Sequence, residues 1–246
     1  MLSGFISLIF AGLLAGPVDE PDTEPARPVL IELYTSQGCP LCPAANEYLG
    51  HLDAREDVVA LSFSVDYWDI YGWEDTYARP EFVDRQRAFK QRLGFSRIYT
   101  PQFVIDGALE AGGSQPDSLL SDIATRRMTL TDTIEINVNY HGGGNFTIDI
   151  DGHAPFDEAA TVYVAAYAPG WRSVDVSAGR NAGRDVRVYN PVTALFELGQ
   201  WTSGADSYGA ALPESRAGVF FVQGGPGGPI YAVADFRRTM DEASDR

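Results

Sequence analysis

Residues 29–43 read VLIELYTSQGCPLCP, a stretch that contains both cysteines of the chain. Residues 29–34 are apolar or aromatic apart from Glu32, and a polar turn follows them, which is the pattern of a buried strand. The dithiol Cys39-Pro40-Leu41-Cys42 comes next, and apolar positions then recur at helical spacing to about Arg55. The stretch therefore predicts a strand followed by a helix that the two cysteines open.

The segments after this helix complete an α/β unit. The predicted elements are a strand at 58–65, a helix from Pro80 to about Leu93, a strand at 99–107 containing Pro101, a returning strand at 108–111 and a helix at 116–127. The resulting order of strand, helix, strand, helix, strand, strand and helix is that of a thioredoxin fold, whose active site lies where the dithiol lies here. We therefore expect a thioredoxin-like domain over 29–129.

From about Thr131 the pattern changes to short alternating runs separated by turns. Residues 134–140 and 146–150 alternate on either side of a glycine-rich turn, which predicts a hairpin. Further candidate strands are at 162–168, 185–189, 194–200, 218–223 and 230–235. We expect a β-sandwich of about seven strands over 130–240, with a short tail at 241–246. The predicted fold class is therefore α/β plus all-β.

The N-terminal segment predicts export. Residues 1–16 form an apolar run shorter than the roughly 20 residues that a membrane-spanning helix needs, so we interpret them as a signal peptide. The positive start of such a signal is missing, because no Lys or Arg precedes Arg27, and an uncleaved anchor or a mis-assigned start remains an alternative. Residues 17–28, rich in proline and acids, predict a linker. The expected location is periplasmic or secreted.

The charge balance excludes some classes of partner. Acidic residues number 34 and basic residues 18, for a formal net charge of -16 in a chain of 246 residues. A chain this acidic lacks the basic surface that binds phosphate backbones, so we expect no nucleic acid partner and no membrane contact beyond the export signal. No cofactor is expected, and the oligomeric state is left open.

Several segments resemble a known family. They read ELYTSQGCPLCPAAN (32–46), SFSVDYWDIYGWEDTYARPEFVDRQRAF (62–89), YTPQFVIDG (99–107), GRNAGRDVRVYNPV (179–192) and LGQWTSG (198–204). Together they resemble the exported bacterial family of uncharacterised function DUF1223. The sequence departs from that family's pattern at Asn46, where aspartate is usual, and at Ser64 and Val188, where histidine is usual.

The position of the dithiol predicts its chemistry. At a helix N-terminus, unpaired N–H groups and the helix dipole favour a thiolate and lower a thiol pKa to between about 3.5 and 7.5. We predict that Cys39 is the nucleophile and that Cys42 resolves the mixed disulfide. The alternatives are a structural disulfide, or half of a metal site. A metal would need two more ligands, for which the histidines available are His51, His141 and His153.

Two further residues are assigned to the site. Thr100-Pro101 resembles the pair at the cis-proline that faces the dithiol in thioredoxin-like proteins and binds peptide there. Glu32 is a carboxylate in an apolar strand, which is costly unless it is paired, exposed or protonated. The resemblance to thioredoxins implies that Glu32 lies beneath Cys42 and takes its proton. An equal alternative is that Glu32 is bonded to a nearby donor.

Residues 66–73 form an aromatic loop beside the predicted site. Tyr67 and Trp68 are candidates, with Thr100, for substrate binding, although such a loop also packs as a lid on its own domain. The basic residues at 180, 184 and 187 predict either a docking surface or a solvated hairpin tip.

The first functional hypothesis is an exported thiol-disulfide oxidoreductase acting on protein thiols or disulfides in the cell envelope. The alternative is a non-catalytic binding protein with a structural Cys39-Cys42 disulfide. Thiol-based peroxide reduction is a third and weaker hypothesis, since no sequence feature identifies a peroxide pocket.

Overall fold

A computed structural model describes residues 27–113, 116–130, 133–153, 155, 159–212 and 217–237. The predicted signal peptide, the predicted tail and most of the predicted linker lie outside the described residues. The elements of the first half are β1 (Val29–Thr35), α1 (Cys42–Leu52), β2 (Val58–Ser64), α2 (Pro80–Leu93), β3 (Gln102–Ile105), β4 (Leu109–Gly112) and α3 (Pro116–Met128). Their order is the order that the sequence predicts.

The first half is a four-stranded mixed sheet in the order β2-β1-β3-β4. Strand β2 runs parallel to β1, β3 runs antiparallel to β1, and β4 returns antiparallel to β3. Because successive side chains of a strand point to opposite faces, Ile31 and Leu33 pack with α1 and α3, whereas Leu30 and Tyr34 pack on the side of α2. Helix α1 therefore lies on one face of the sheet and α2 on the other.

The second half is antiparallel throughout, as the alternation predicts, but it is divided among three sheets. Its strands are β5 (Ile134–Gly142), β6 (Asn145–Gly152), β7 (Ala160–Tyr167), β8 (Trp171–Val176), β9 (Arg184–Tyr189), β10 (Val192–Trp201), β11 (Asp206–Ala211), β12 (Ala217–Gly224) and β13 (Ile230–Arg237). The sheet orders are β10-β7-β12-β13, β11-β6-β5 and β8-β9. Strands β8 and β11 were not predicted from the sequence.

The two halves share a core. Strand β12 points Phe220 toward the β11-β6-β5 sheet, where it packs with Ile148, and points Phe221 toward the first half, where it packs with Phe63 and Phe89. The β10-β7-β12-β13 sheet is thus covered on both faces. The β11-β6-β5 sheet packs on one face, and the first half packs on the opposite face. Burial of this kind binds the halves into one packed body.

The end of the predicted linker is anchored in the fold. Asp106 is fully buried in the turn between β3 and β4, and it accepts hydrogen bonds from the guanidinium groups of Arg27 and Arg126. Arg27 also donates to the main-chain carbonyl of Ile230 on β13 at 2.6 Å. A buried carboxylate therefore binds Arg27 and fixes this end of the predicted linker.

Strands β8 and β9, with the turn that joins them, form a hairpin across α1 that we call the arm (residues 171–189). Tyr189 donates its hydroxyl to Asp53 at the end of α1 at 2.9 Å, and Trp171 packs beside Gly50. Arg187 is paired with Glu47 of α1 at 3.3 Å. The arm thus brings residues of the second half to the helix that carries the cysteines.

Candidate functional site: the disulfide at the start of helix α1

The two cysteines lie where β1 passes into α1. They form a disulfide with a Cα–Cα distance of 5.4 Å, and α1 begins at Cys42. The N–H of Cys42 donates to the carbonyl of Cys39, and Pro43 occupies the first turn, where its missing N–H costs no helical hydrogen bond. No acidic residue lies in that first turn. The predicted position of the dithiol at a helix N-terminus is confirmed.

The disulfide lies beneath the surface. Cys39 and Cys42 are each 1% exposed, whereas Leu41 between them is 65% exposed. The motif thus presents its two middle residues to solvent and turns both sulfur-bearing side chains inward. A partner molecule would meet Pro40 and Leu41 before it met sulfur.

Asn181, at the tip of the arm, covers the cysteine turn. The arm ends in a 3-10 turn, Gly179–Asn181, which we call the tip. The side-chain amide of Asn181 donates to the carbonyl of Gln37 at 2.8 Å and to the carbonyl of Cys39 at 3.0 Å. The sequence places Asn181 in a polar turn between basic residues but does not assign it to the site. Its position in a basic turn of an acidic chain was the available signal.

Residues 73–76 form hydrogen bonds with the loop that precedes Cys39. The N–H of Gln37 donates to the carboxylate of Asp75 at 2.7 Å, and its side chain binds Thr76 and Trp73. Burial raises the pKa of Asp75, while hydrogen bonds from the main chain of Gln37 and Tyr77 act in the opposite direction. Trp73 therefore supports the cysteine loop.

Trp68 joins the cysteine loop to Thr100 and Pro101. Its indole N–H donates to the hydroxyl of Thr100 at 2.7 Å, and the Thr100-Pro101 peptide bond is cis, as the resemblance implied. A Cβ atom on Gly38 would lie 3.1 Å from the Cβ of Trp68, so the glycine before Cys39 permits this close approach. The structure thus brings together Cys39, Trp68 and Thr100, three of the predicted site residues.

Tyr67 is half-buried beside Gln86 and Thr100. Its hydroxyl lies 3.5 Å from the side-chain oxygen of Gln86, its ring packs against the core, and burial raises its pKa to about 12. The exposed apolar side chains of this loop are Ile70 at 81% and Tyr71 at 45%. The substrate-binding assignment of Tyr67 stays a prediction, and its hydroxyl also interacts with Thr100, another candidate.

Glu32 does not lie beneath Cys42. Its strand neighbours Leu30 and Tyr34 face the side of α2, so Glu32 faces away from α1. The carboxylate binds the guanidinium of Arg85 through two hydrogen bonds of 2.7 Å and accepts the hydroxyl of Tyr34 at 3.0 Å. The prediction that Glu32 takes the Cys42 proton is wrong, and the alternative of a nearby donor is correct.

Asn46, one of the three departures from the family pattern, links β1 to the arm. The amide of Asn46 donates to the hydroxyl of Thr35, which is the strand partner of Ser64. The carbonyl oxygen of the Asn46 side chain accepts the N–H of Tyr189, the residue after Val188. An amide, a hydroxyl and an apolar side chain supply no titrating group here, so these positions provide no proton-transfer group for the dithiol.

The arm carries positive charge to the rim of the site. The guanidinium of Arg180 lies over Tyr71 at 4.2 Å from the ring centroid and over Trp68 at 5.9 Å. Cation–π contacts of this kind are worth about 0.5–1 kcal/mol at exposed sites. The tip is therefore attached to the aromatic loop as well as to the cysteine loop.

The described residues contain no group of three or more His, Cys, Asp or Glu side chains that could hold a metal ion. Among their helices, none combines the length and the apolar character that crossing a membrane requires.

The fold and the site define a chain in which an α/β half bearing a buried disulfide is packed against antiparallel sheets. The profile of the family described as "Protein of unknown function (DUF1223)" matches residues 30–223, and the chain belongs to that family. Nothing among the curated proteins matches the chain.

Comparison with solved structures finds likenesses of different extent. The chain is similar to protein AGR_C_4864 from Agrobacterium tumefaciens, with 25% identity, a TM-score of 0.74 and coverage of 88% of this chain and 97% of that chain. It also matches hypothetical protein PH1083 from Pyrococcus horikoshii OT3 over 44% of this chain and 88% of that chain, at 7% identity and a TM-score of 0.21. The second likeness is too low to bear on the fold.

Proposed function

We propose that the chain is an exported thiol-disulfide oxidoreductase that exchanges disulfides with proteins of the cell envelope. The observation that carries this proposal is the Cys39–Cys42 disulfide at the N-terminus of α1, directly after a buried strand. The apolar run at residues 1–16 supports export. No cofactor is needed, because the dithiol itself carries the two electrons.

We assign a thioredoxin-like unit to residues 29–129 and a β-sandwich to residues 130–240. The sheet order β2-β1-β3-β4 and the placement of α1 and α2 on opposite faces support the first assignment. The packing of the β10-β7-β12-β13 sheet on the β11-β6-β5 sheet supports the second. The β8-β9 arm is then an addition that reaches from the second unit to the site of the first.

Electrostatics favour Cys39 as the reactive sulfur. The first turn of α1 has no acidic residue, so the helix dipole and its unpaired N–H groups favour the thiolate. Cys42 lies inside the helix and is left to resolve the intermediate. Glu32 has no part in the reaction, since Arg85 holds it on the other face of the sheet.

The reduced protein acts on a partner disulfide in two exchanges. The Cys39 thiolate attacks one partner sulfur, a mixed disulfide forms, and the other partner sulfur leaves as a thiolate that takes a proton from water. The Cys42 thiolate then attacks Cys39, the Cys39–Cys42 disulfide forms, and the second partner thiol is released. Two electrons pass to the partner. The reverse sequence oxidises a partner dithiol.

A trapping experiment tests this proposal. The Cys42→Ser protein lacks the resolving thiol, so it should accumulate partners as mixed disulfides through Cys39, visible on a non-reducing gel and lost with dithiothreitol. The Cys39→Ser protein is the matched control and should trap none. Equal trapping by both variants, or by neither, would overturn the assignment.

One observation favours a second candidate. Both cysteine side chains are buried, as expected for a structural disulfide in a non-catalytic binding protein. The reduction potential separates the two functions, since structural disulfides lie below about -300 mV and exchange-active pairs lie higher. A redox titration of the Cys39–Cys42 pair against dithiothreitol measures it.

A further inference from the structure

Both ends of the arm contact the first half, each through a buried asparagine. At the base, Asn190 is buried, its amide donates to the carbonyl of Ala60 at 2.9 Å, and its side-chain oxygen accepts the N–H of Gly170 at 2.7 Å. The main-chain carbonyl of Asn190 also accepts the N–H of Ser62 on β2 at 3.2 Å. These contacts tie both strands of the arm to the first sheet at its base.

The tip is held by contacts of each of its three residues. Its attachments are the two hydrogen bonds from Asn181, the contact of Arg180 with the aromatic loop, and the packing of Gly179 beside Trp73. Within the described part of the chain, β8 and β9 are hydrogen-bonded in a sheet only to each other. The tip can therefore separate from the cysteine loop without breaking any other sheet.

We propose that the tip is a lid that closes the Cys39–Cys42 disulfide to small thiols and that a polypeptide partner displaces. The proposal rests on the proposed function, because it explains how a buried disulfide exchanges with a partner. The lid is closed in this structure, and the base of the arm acts as its fixed end.

The contacts of the lid are ones that a polypeptide can replace. Asn181 donates to two main-chain carbonyls, those of Gln37 and Cys39, and a peptide N–H is the same kind of donor as its side-chain amide. Exchanging one neutral hydrogen bond for another changes the free energy little. Dithiothreitol has hydroxyl donors but no peptide main chain to lie along the cysteine loop, so we expect it to compensate poorly for the contacts that are lost when the lid opens.

Exposed apolar side chains around the site also favour a polypeptide partner over a small thiol. Leu41, Ile70 and Tyr71 are the apolar side chains exposed on the cysteine turn and the aromatic loop. A polypeptide that buries them gains contact area, which offsets the opening of the lid, whereas a small thiol covers little of them. Access to Cys39 thus depends on the size and main chain of the partner.

Reduction kinetics with dithiothreitol test the lid. We expect the disulfide of the Asn181→Ala protein to be reduced faster than that of the wild-type protein on the order of tenfold, since two neutral hydrogen bonds no longer hold the tip. Ser173→Ala, at an exposed position on the same arm, is the matched control and should agree with the wild-type rate within about twofold. Reduction is followed by alkylation of the released thiols and mass spectrometry.

Two further measurements make the result decisive. Hydrogen exchange of a peptide spanning 176–184 should be faster in Asn181→Ala and unchanged in Ser173→Ala. The equilibrium constant for reduction of the disulfide by dithiothreitol should not change in Asn181→Ala as much as the reduction rate does. A lid controls access to the disulfide and not the stability of the disulfide bond. A proportional shift would mean that Asn181 stabilises the disulfide itself, and it would overturn the lid.

A second variant covers the case in which Asn181→Ala fails to fold. Arg180→Ala removes the contact with Tyr71 from an exposed position and should speed reduction severalfold. Unchanged rates in folded Asn181→Ala or in Arg180→Ala would overturn the lid. The lid and the proposed function can fail separately. If Cys42→Ser traps partners but the lid variants are reduced at the wild-type rate, only the lid is overturned. If the lid variants are reduced faster but Cys42→Ser traps no partner, only the proposed function is overturned.

Discussion

The guanidinium of Arg85 on α2 holds the carboxylate of Glu32 on β1 with two hydrogen bonds of 2.7 Å, at a site where both side chains are almost fully buried. A third hydrogen bond, of 2.8 Å, joins Arg85 to Gln223 on β12. The ion pair thus connects the sheet and helix of the first half to a central strand of the second. It lies in the core that both halves share.

Breaking this pair from one side should be costly. Arg85→Met leaves the Glu32 carboxylate buried without a cation, and we expect it to lower the free energy of unfolding by about 3–5 kcal/mol. The double variant Arg85→Met with Glu32→Met removes both charges and should regain most of that loss. Urea unfolding at pH 7 measures both.

The same helix provides the control for this prediction. Arg87 is exposed and paired with Asp84, so Arg87→Met should change the unfolding free energy by less than about 0.5 kcal/mol. If the double variant is as unstable as Arg85→Met alone, then the packing of the guanidinium among its aromatic neighbours matters more than its charge.

Reducing the disulfide should leave the fold intact. Cys39 and Cys42 are three positions apart, so their bond closes a very short loop and restricts the unfolded chain little. The chain-entropy treatment gives about 2 kcal/mol or less for such a loop. We expect the reduced protein to keep its near-ultraviolet circular dichroism and to unfold cooperatively.

Thermal unfolding with and without dithiothreitol measures this difference. The Cys39→Ala/Cys42→Ala protein is the control, and its unfolding should not respond to dithiothreitol. Loss of tertiary structure on reduction would show that the disulfide is a structural staple, and it would favour the non-catalytic candidate.

The sequence was sufficient for the local features of the first half. The strand that begins at Val29, the helix opened by Cys42 and the turn at Asp106-Gly107 are each specified by residues within one short window. Period and turn chemistry act over such windows, so these elements could be predicted. Resemblance to a family added the cis bond before Pro101, which no local pattern specifies.

Long-range pairing could not be predicted in the same way. Asn181 lies 142 positions after Cys39, and Arg85 lies 53 positions after Glu32. Nothing in the sequence around Glu32 states which face of β1 packs against α1. Glu32 was expected on the α1 face, and the predicted transfer of the Cys42 proton depended on that placement. In the arm, β9 was predicted but its partner β8 was missed, since β8 is partly exposed and its pattern is weak.

Asn46 should be sensitive to the charge of its side chain. Its amide donates to the hydroxyl of Thr35 at 2.9 Å and to the carbonyl of Cys42 at 3.1 Å. In Asn46→Asp an oxygen replaces this donor and faces the Cys42 carbonyl, in a buried site without a cation. We expect a loss of about 2–3 kcal/mol at pH 7, measured by urea unfolding.

The pH dependence of Asn46→Asp follows from burial. The folded state disfavours the ionised carboxylate, so the pKa of the introduced acid should be raised above its unfolded value of about 3.9. The deficit relative to wild type should therefore be smallest below that value and should grow as pH rises through the folded pKa. Asn46→Ala is the control, and its deficit should not depend on pH. A pH-independent deficit in Asn46→Asp would contradict this account.

Tyr189 should make the attachment of the arm sensitive to alkali. Its hydroxyl donates to Asp53 at 2.9 Å, and burial, followed by that hydrogen bond, raises its pKa to about 12. An unfolded tyrosine titrates near about 10, so the contribution of Tyr189 is complete below that pH and is lost as pH rises toward the folded value. The stability difference between wild type and Tyr189→Phe should therefore shrink across this window, as urea unfolding at several pH values would measure.

Tyr208 supplies the matched control for the alkaline prediction. Burial also raises its pKa to about 12, but it lies on β11, where it binds Asp206 and has no contact with α1. Both Tyr→Phe variants should lose one late-titrating phenol in absorbance at 295 nm, and only Tyr189→Phe should speed hydrogen exchange in the arm. Equal exchange in the two variants would mean that the hydroxyl of Tyr189 does not hold the arm on α1.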